Sequence, residues 1–325
     1  MKKLTRFIAL LTLLVCANIG VAYAQEGPYP SRAIRLISPY PPGGLTDILS
    51  RLLAQKLSES WHQPVVVENR TGGSGVLATN IVAKAPPDGY TLAMLLSNHA
   101  VNPSVMKELP YDSANDVIPV TLVALVPGIM TVRPTLQARS VREVIALAKA
   151  SPGTLTYASP GPITSGHLSM ALLNAMTGVD ILHIPYKGGS PAVLDLLGGR
   201  VDMMISSGGS IGPHIKSGKL IPIATTGKER VKSLPNVPTI AESGIAGYET
   251  YEWYGIFTTR NTPRAVVLKL QEEIARILKS PEVAKRIEEL GADPVGNTSE
   301  EFTAFVKDET VKWGKLAKDL ALKAE

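Results

Sequence analysis

Cysteine is all but absent from this chain. The single one, Cys16, falls inside an N-terminal segment with the form of a removable signal. From Gln25 onward the chain has none, which excludes disulfides, thiolate metal sites and a cysteine nucleophile. Long hydrophobic runs are equally scarce. Only Phe7 to Val21 approaches membrane length, and it is short and interrupted by Asn18 and Gly20. Lys2, Lys3 and Arg6 precede it, and Ala22-Tyr23-Ala24 comes after it, before Gln25. That order fits an export signal cleaved after Ala24 better than a membrane anchor. Export without disulfides points to a bacterial periplasm. Charge runs are missing too. Without its three signal-segment basic residues, the chain keeps 30 of its 33 Lys and Arg against 28 Asp and Glu, thinly spread. No stripe tracks phosphates, so nucleic acid is not an expected partner. A 45% hydrophobic content over this length is enough for a core in two lobes.

Catalytic signatures are also lacking. Gly208-Gly209-Ser210-Ile211-Gly212 has the Gly-x-Ser-x-Gly form of a nucleophile elbow, but the only later histidine is His214, four residues on. A triad histidine lies far from its serine in sequence, so a serine hydrolase is not expected. Gly73-Ser74-Gly75-Val76-Leu77-Ala78 imitates a dinucleotide fingerprint, but Met94-Leu95-Leu96-Ser97 stands where a ribose-binding acid belongs. There is no P-loop. His62, His99, His167, His183 and His214 show no metal-ligand spacing, so neither cofactor nor metal is expected. His99 and His167, with the acids Asp47 and Asp202, sit beside Gly-containing loops. A general acid/base pair there keeps open an exported α/β enzyme acting through Asp202 and His167.

What is present is an alternation of short β-branched runs with helical patterns. Ala33 to Ile37, Val65 to Glu68, Thr91 to Leu96, Val117 to Leu125 and Met130 to Arg133 read as strands. So do Leu155 to Ala158, Ile181 to Pro185, Val201 to Ile205 and Leu220 to Thr225. Near-continuous apolar strands separated by helices predict parallel sheets covered on both faces. Three helix starts come after strands through glycine loops: Thr46, read as an N-cap; Thr164 or Ser165; and Ser190 before Pro191. Such loops gather at the carboxyl ends of the strands, where ligands bind. The stretch from Ser38 to Asp47, with Pro41-Pro42-Gly43-Gly44, joins a strand to a helix N-terminus and suits an anion. The C-terminal third reads as helical, with Thr262-Pro263 opening one helix, Glu282 to Leu290 forming another, and a Thr298–Glu301 capping box opening the last.

An ordered series of motifs runs through the chain. Pro42-Gly43-Gly44 with Thr46-Asp47, Val65-Val66-Val67-Glu68-Asn69-Arg70, Asp88-Gly89-Tyr90-Thr91-Leu92 and Asn102-Pro103 come first. Tyr157-Ala158-Ser159-Pro160-Gly161 with His167-Leu168, Pro185-Tyr186-Lys187-Gly188 and Asp195-Leu196-Leu197-Gly198-Gly199 with Val201-Asp202 come next. Leu234-Pro235-Asn236-Val237-Pro238-Thr239 and Trp253-Tyr254-Gly255 close it. In this order the chain resembles the Bug-type solute-binding receptors of tripartite tricarboxylate transporters, over nearly its whole length.

That resemblance implies a two-lobed periplasmic-binding-protein fold, type II-like, each lobe a mainly parallel sheet flanked by helices. Residues 25–125 and 226–325 would form the first lobe and 126–225 the second, with crossings near Val123 to Gly128 and Ala224 to Lys228. It implies a monomer that closes on a small carboxylate (a di- or tricarboxylate, an acidic amino acid or an aromatic acid) and delivers it to a membrane permease. Two loop–helix junctions would hold the carboxylate: Gly43, Gly44, Leu45, Thr46 and Asp47 from one lobe, Ser159, Thr164, Ser165 and His167 from the other. Asn98, His99, Lys187, Gly188, Gly189, Asp202 and Ser206 would line the cleft. Leu45 and Pro162-Ile163 add apolar bulk where the family uses small residues, which favours an aromatic or branched acid. A ligand sensor without transport would share the same cleft.

Overall fold

The computed structural model describes residues 29–320 and 322, so the signal segment lies outside it. Strands β1 (Ile34–Ser38), β2 (Val65–Asn69) and β3 (Thr91–Leu96) run parallel in the order β2-β1-β3. Helices α1 (Leu45–Trp61) and α2 (Val76–Ala83) make the crossovers, and α3 (Asn98–Val105) comes after β3. A second parallel set, β7-β5-β6, is built from β5 (Thr156–Ser159), β6 (Leu182–Pro185) and β7 (Met203–Ser207). Helix α4 (Val141–Ala150) precedes this set, α5 (Ser165–Thr177) and α6 (Gly189–Leu197) alternate with its strands, and α7 (Gly208–Lys216) comes after β7. Strand β8 (Ile221–Thr225) is next in the chain. These positions agree with the strand runs read from the sequence.

Two antiparallel strands join the sets. Strand β4 (Val117–Val132) spans 16 residues, where the sequence suggested two separate strands. From Val117 to Pro127 it pairs with β9 (Tyr251–Thr259), and from Gly128 to Val132 with β7; β8 joins it from Ile129. Pro127-Gly128 ordinarily ends a strand; here it marks the point where β4 changes partner. Strand β9, in a region read as helical, also pairs with β3. Its glycine is required by packing: a Cβ on Gly255 would collide with the ring of Phe302. Each lobe thus has the mainly parallel set expected, and antiparallel strands stitch the two sets together.

Alternating strand residues face opposite helical layers. In the first lobe Leu36, Leu92 and Tyr254 pack with Leu53 of α1 and Leu270 and Ile274 of α8 (Arg264–Leu278). Their neighbours Ile37, Ala93 and Trp253 pack with Phe302 and Trp313 of α10 (Ser299–Asp319). Helix α9 (Pro281–Glu289) and the short strand β10 (Asp293–Pro294) lie between α8 and α10 in sequence. The second lobe repeats the arrangement, with Met130, Tyr157 and Met203 on one side and Ile129, Ala158 and Met204 on the other. Ile240, Ile245 and Tyr248 belong to the second-lobe core. The segment between β8 and β9 therefore packs on this core before the chain enters β9. The Thr298–Glu301 capping box forms, with Glu301 N–H on Thr298 Oγ1 at 3.1 Å and Thr298 N–H on Glu301 Oε2 at 2.9 Å.

Candidate ligand-binding cleft

In the first lobe the loop after β1 is tied down from within. Gly43, at φ +91°, donates its N–H to Asp47 Oδ2 at 3.0 Å. Arg51 Nε donates to the same oxygen at 2.9 Å, and Asn69 Nδ2 donates to Asp47 Oδ1 and to the Tyr40 carbonyl, both at 2.9 Å. Arg51 above all, then Asn69 and the Gly43 N–H, hold the Asp47 carboxyl down to about 2. Both oxygens of Asp47 are therefore engaged in fixing the loop. The helix cap is Gly44, with no side-chain cap bond, and Thr46 sits buried inside the first turn, a correction to the expected Thr46 cap. The first-turn N–H groups of a helix have no intrahelical acceptor, so those of Leu45, Thr46 and Asp47 stand at the positive end of the α1 dipole. Asn98 links the neighbouring loops: its amide donates to the Tyr40 hydroxyl at 3.0 Å and to the Ser74 carbonyl.

The second lobe offers a matching junction. Ser159, fully buried, bonds through Oγ to the Gly161 carbonyl at 2.9 Å and to His183 Nε2 at 2.7 Å. Thr164 caps α5 by position only; its hydroxyl donates instead to the Gly161 carbonyl at 2.8 Å. Ile163 N–H donates to His167 Nδ1 at 3.0 Å, and the His167 ring stacks on His183 with centroids 4.0 Å apart. Burial first, and then His183, push His167 down to about 4. A neutral ring that accepts at Nδ1 is what this loop needs. Ile163 itself has φ +53°, a strained setting for a β-branched residue. Gly188 N–H donates to the Pro160 carbonyl at 2.9 Å, bringing the Lys187-Gly188-Gly189 turn beside the same loop.

The lobes meet over a space of about 20 Å³ lined by Gly128, Ser165, Gly166, Ser206, Ser207, Thr226, Thr250, Tyr251 and Glu252, among others. That is room for about one water. Ser165 and Ser206, both expected in the cleft, are brought together here. No lysine, arginine or histidine lines this floor.

The family model described as "Tripartite tricarboxylate transporter family receptor" matches residues 49–322. The chain belongs to this receptor family. The Bordetella pertussis Protein BugT is 35% identical over 323 residues, covering 99% of both chains. Among solved structures, "R. palustris Rpa4515 with adipate" is 37% identical with a TM-score of 0.77, covering 91% of this chain and 99% of its own. The protein MatC from Rhodopseudomonas palustris, with bound malate, is 29% identical with a TM-score of 0.72, covering 89% and 99%. The family is one of solute-binding receptors, and the two-lobed architecture is shared.

Two expected cleft residues of the receptor lie elsewhere. Asp202 precedes β7, at the end of the strand opposite Ser206. It pairs with Arg133 at 2.9 Å and accepts from the Thr156 N–H and hydroxyl, both at 2.9 Å. His99 is 3% exposed, packs edge-on against Phe257 at 5.0 Å, and lines a separate first-lobe cavity of about 600 Å³ between α3 and α10. Position beside a loop in sequence does not say which end of a strand or which face of a helix a side chain takes. Asp202 and His167, the pair that an enzymatic reading required, serve different elements: one ties β7 to β4 and β5, the other orders the α5 loop. Among the described residues no group of His, Cys, Asp or Glu could hold a metal, and no helix is long and apolar enough to cross a membrane. The cleft residues missed from the sequence include Thr226, Thr250, Tyr251 and the acid Glu252. Its signal was the β-strand run Tyr251–Thr259, which would have placed it one residue before the buried Trp253.

Proposed function

We propose that this receptor is a periplasmic binding protein that captures a small carboxylate between its lobes and delivers it to a membrane permease. The observation that carries the reading is the pair of loop–helix junctions, one from each lobe. Each begins a helix whose first-turn N–H groups are left uncapped by any side chain. Oriented amides and helix dipoles hold an anion with little formal charge. In this reading Gly43, Gly44, Leu45, Thr46 and Asp47 face Ser159, Thr164, Ser165 and His167. Asn98, Lys187, Gly188, Gly189 and Ser206 complete the lining. Asp47 and His167 contribute by holding the loops. The relatives named with adipate and malate support the ligand class, and residues 1–24 supply the export signal. The apolar side chains of the second junction, exposed Pro162 and partly buried Ile163, favour a branched or aromatic body.

The receptor is expected to act as a monomer with no catalysis and no cofactor. A thermal-shift screen of mono-, di- and tricarboxylates tests the reading. A ligand at a hundred times its Kd adds about 2.7 kcal/mol of stability, a clear rise in Tm. A response confined to sugars or metal cations would overturn it. Uptake measured with and without the permease separates transport from sensing.

A further inference from the structure

The first-lobe cavity of about 600 Å³ shares no residue with the floor between the lobes. Its walls come from α3, the segment that follows α3 up to Val117, strands β4 and β9, and one face of α10. On α10 the lining residues Val306, Lys307, Thr310 and Val311 recur at intervals of three and four, as one helix face requires. Met106, Leu109, Phe257 and Val306 make the cavity mostly apolar, and Val311 stays 66% exposed beside it. Its size falls within the roughly 300–1,000 Å³ of small-molecule sites. Two lysines, Lys107 and Lys307, are in the lining, both exposed and neither in an ion pair among the described residues. Lys312 and Lys315 of the same helix, by contrast, are paired with Glu309 and Asp319. Asp112 is the one acid of the lining, and it is engaged in its own turn, accepting from the Ala114 N–H at 2.9 Å and the Asn115 amide at 2.8 Å. His99 Nδ1, the Tyr111 hydroxyl and Ser113 Oγ, all of lining residues, are buried and make no hydrogen bond among the described residues. His99 is 3% and Tyr111 8% exposed, so water does little to satisfy them.

We propose that this cavity is a second ligand site, separate from the cleft, and that it takes an apolar monocarboxylate. The hydrocarbon or aromatic body lies between α3 and α10, and the carboxylate is held by the charge of Lys107 and Lys307. The segment that carries Lys107 also carries Tyr111 and Ser113, whose hydroxyls are donors in want of an acceptor. An uncharged apolar ligand would leave both lysines unanswered. A second carboxylate would have to be desolvated against Met106, Leu109 and Phe257, which is costly. The site thus selects one charge on a long apolar body. Every lining residue belongs to a first-lobe element, so occupancy needs no closure of the lobes and does not rest on the cleft reading.

The test titrates the mature chain with octanoate and with octanol in a calorimeter. Octanoate is expected to bind about tenfold tighter than the alcohol. Lys107→Gln combined with Lys307→Gln is expected to bring octanoate down to the affinity of octanol, with octanol itself unchanged. Val306→Trp, which fills the cavity, is expected to abolish binding of both, and Gly44→Val in the cleft to leave both intact. No octanoate binding, or equal affinity for acid and alcohol in the wild type, overturns the proposal and leaves the cleft reading standing. Octanoate binding that Gly44→Val removes and Val306→Trp spares belongs to the cleft and overturns the second site. The lysine pair is exposed, so its variant folds even where Val306→Trp does not, and an acid-to-alcohol ratio unchanged in it overturns the site.

Discussion

Asp47 uses both carboxylate oxygens inside its own loop, on Gly43, Arg51 and Asn69. It therefore fixes where the α1 amides point. Asp47→Ala leaves the Asn69 amide short of an acceptor and frees Gly43, so urea unfolding at neutral pH should show a loss of about 2 kcal/mol. Ligand affinity should fall at least in step, and Asp47→Asn, which keeps an acceptor, should lose less. The two buried histidines set an acid dependence that begins at higher pH than that of a paired carboxylate. His99 and His167 are held down to about 4 by burial, against about 6.5 in the unfolded chain. Between those values the unfolded state binds more protons, so stability present above pH about 6.5 is lost as pH falls toward 4. Each histidine should cost about 2 kcal/mol by pH 5, and His99→Leu should remove about half of that slope in urea titrations from pH 7.5 to 5. Asp47 gives stability that is present above its unfolded value and lost only below pH about 4, as pH falls toward 2. None of this could be read from the sequence, where the same histidines and acid looked like candidate catalysts. Burial and the partner of each lone pair decide the role, and both come from the fold.

Helix starts were the most legible elements, because glycine, proline and hydroxyl residues report local backbone needs. The resolution of that signal stops at single residues. Gly43 and Gly44 look equivalent in sequence, but only Gly43 has positive φ, while a Cβ on Gly44 at φ −77° would meet only the Pro41 carbonyl oxygen, at an ordinary 4.0 Å. Gly43→Ala should cost about 1 kcal/mol of stability and disturb the loop. Gly44→Ala should be silent in unfolding, and Gly44→Val should leave Tm unchanged while blocking carboxylate binding in the thermal-shift assay. A Gly44→Val variant that binds normally would remove this junction from the site. Strand β9 was the least legible element. Its residues come after a long loop and before three helices, and its pairing partners β3 and β4 lie more than a hundred residues earlier. Non-local pairing of that kind leaves only a short β-branched and aromatic run as its local trace. Missing β9 hid both the strand that joins β3 to β4 and Glu252.

At the scale of the molecule, the resemblance of ordered motifs conveyed the two-lobed plan and a crossing near Val123 to Gly128, and the register narrows the partner change to Pro127-Gly128. Strand β4 pairs with β9 up to Pro127, opposite Tyr251, and with β7 from Gly128 on, so bending between the lobes would fall at Pro127-Gly128. Across the cleft, Lys232 Nζ meets Glu288 Oε1 at 2.5 Å, joining the segment after β8 to helix α9 of the first lobe. Both groups are exposed, so solvent screening leaves the pair a minor contributor to stability. It would still bias a motion between the lobes, because it joins a segment that packs on the second-lobe core to a helix that packs on the first. Lys232→Glu places like charges across the cleft and should raise the radius of gyration of the free receptor measured by small-angle scattering. It should weaken ligand binding about twofold to fivefold, through the closing equilibrium alone. The weakening should shrink at high salt, where the repulsion is screened. Saturating ligand should bring wild type and variant to the same compact radius. A variant with unchanged radius and unchanged affinity would mean that this contact does not report on closure, and that the lobes are held together by the buried floor between β4, β7 and β9.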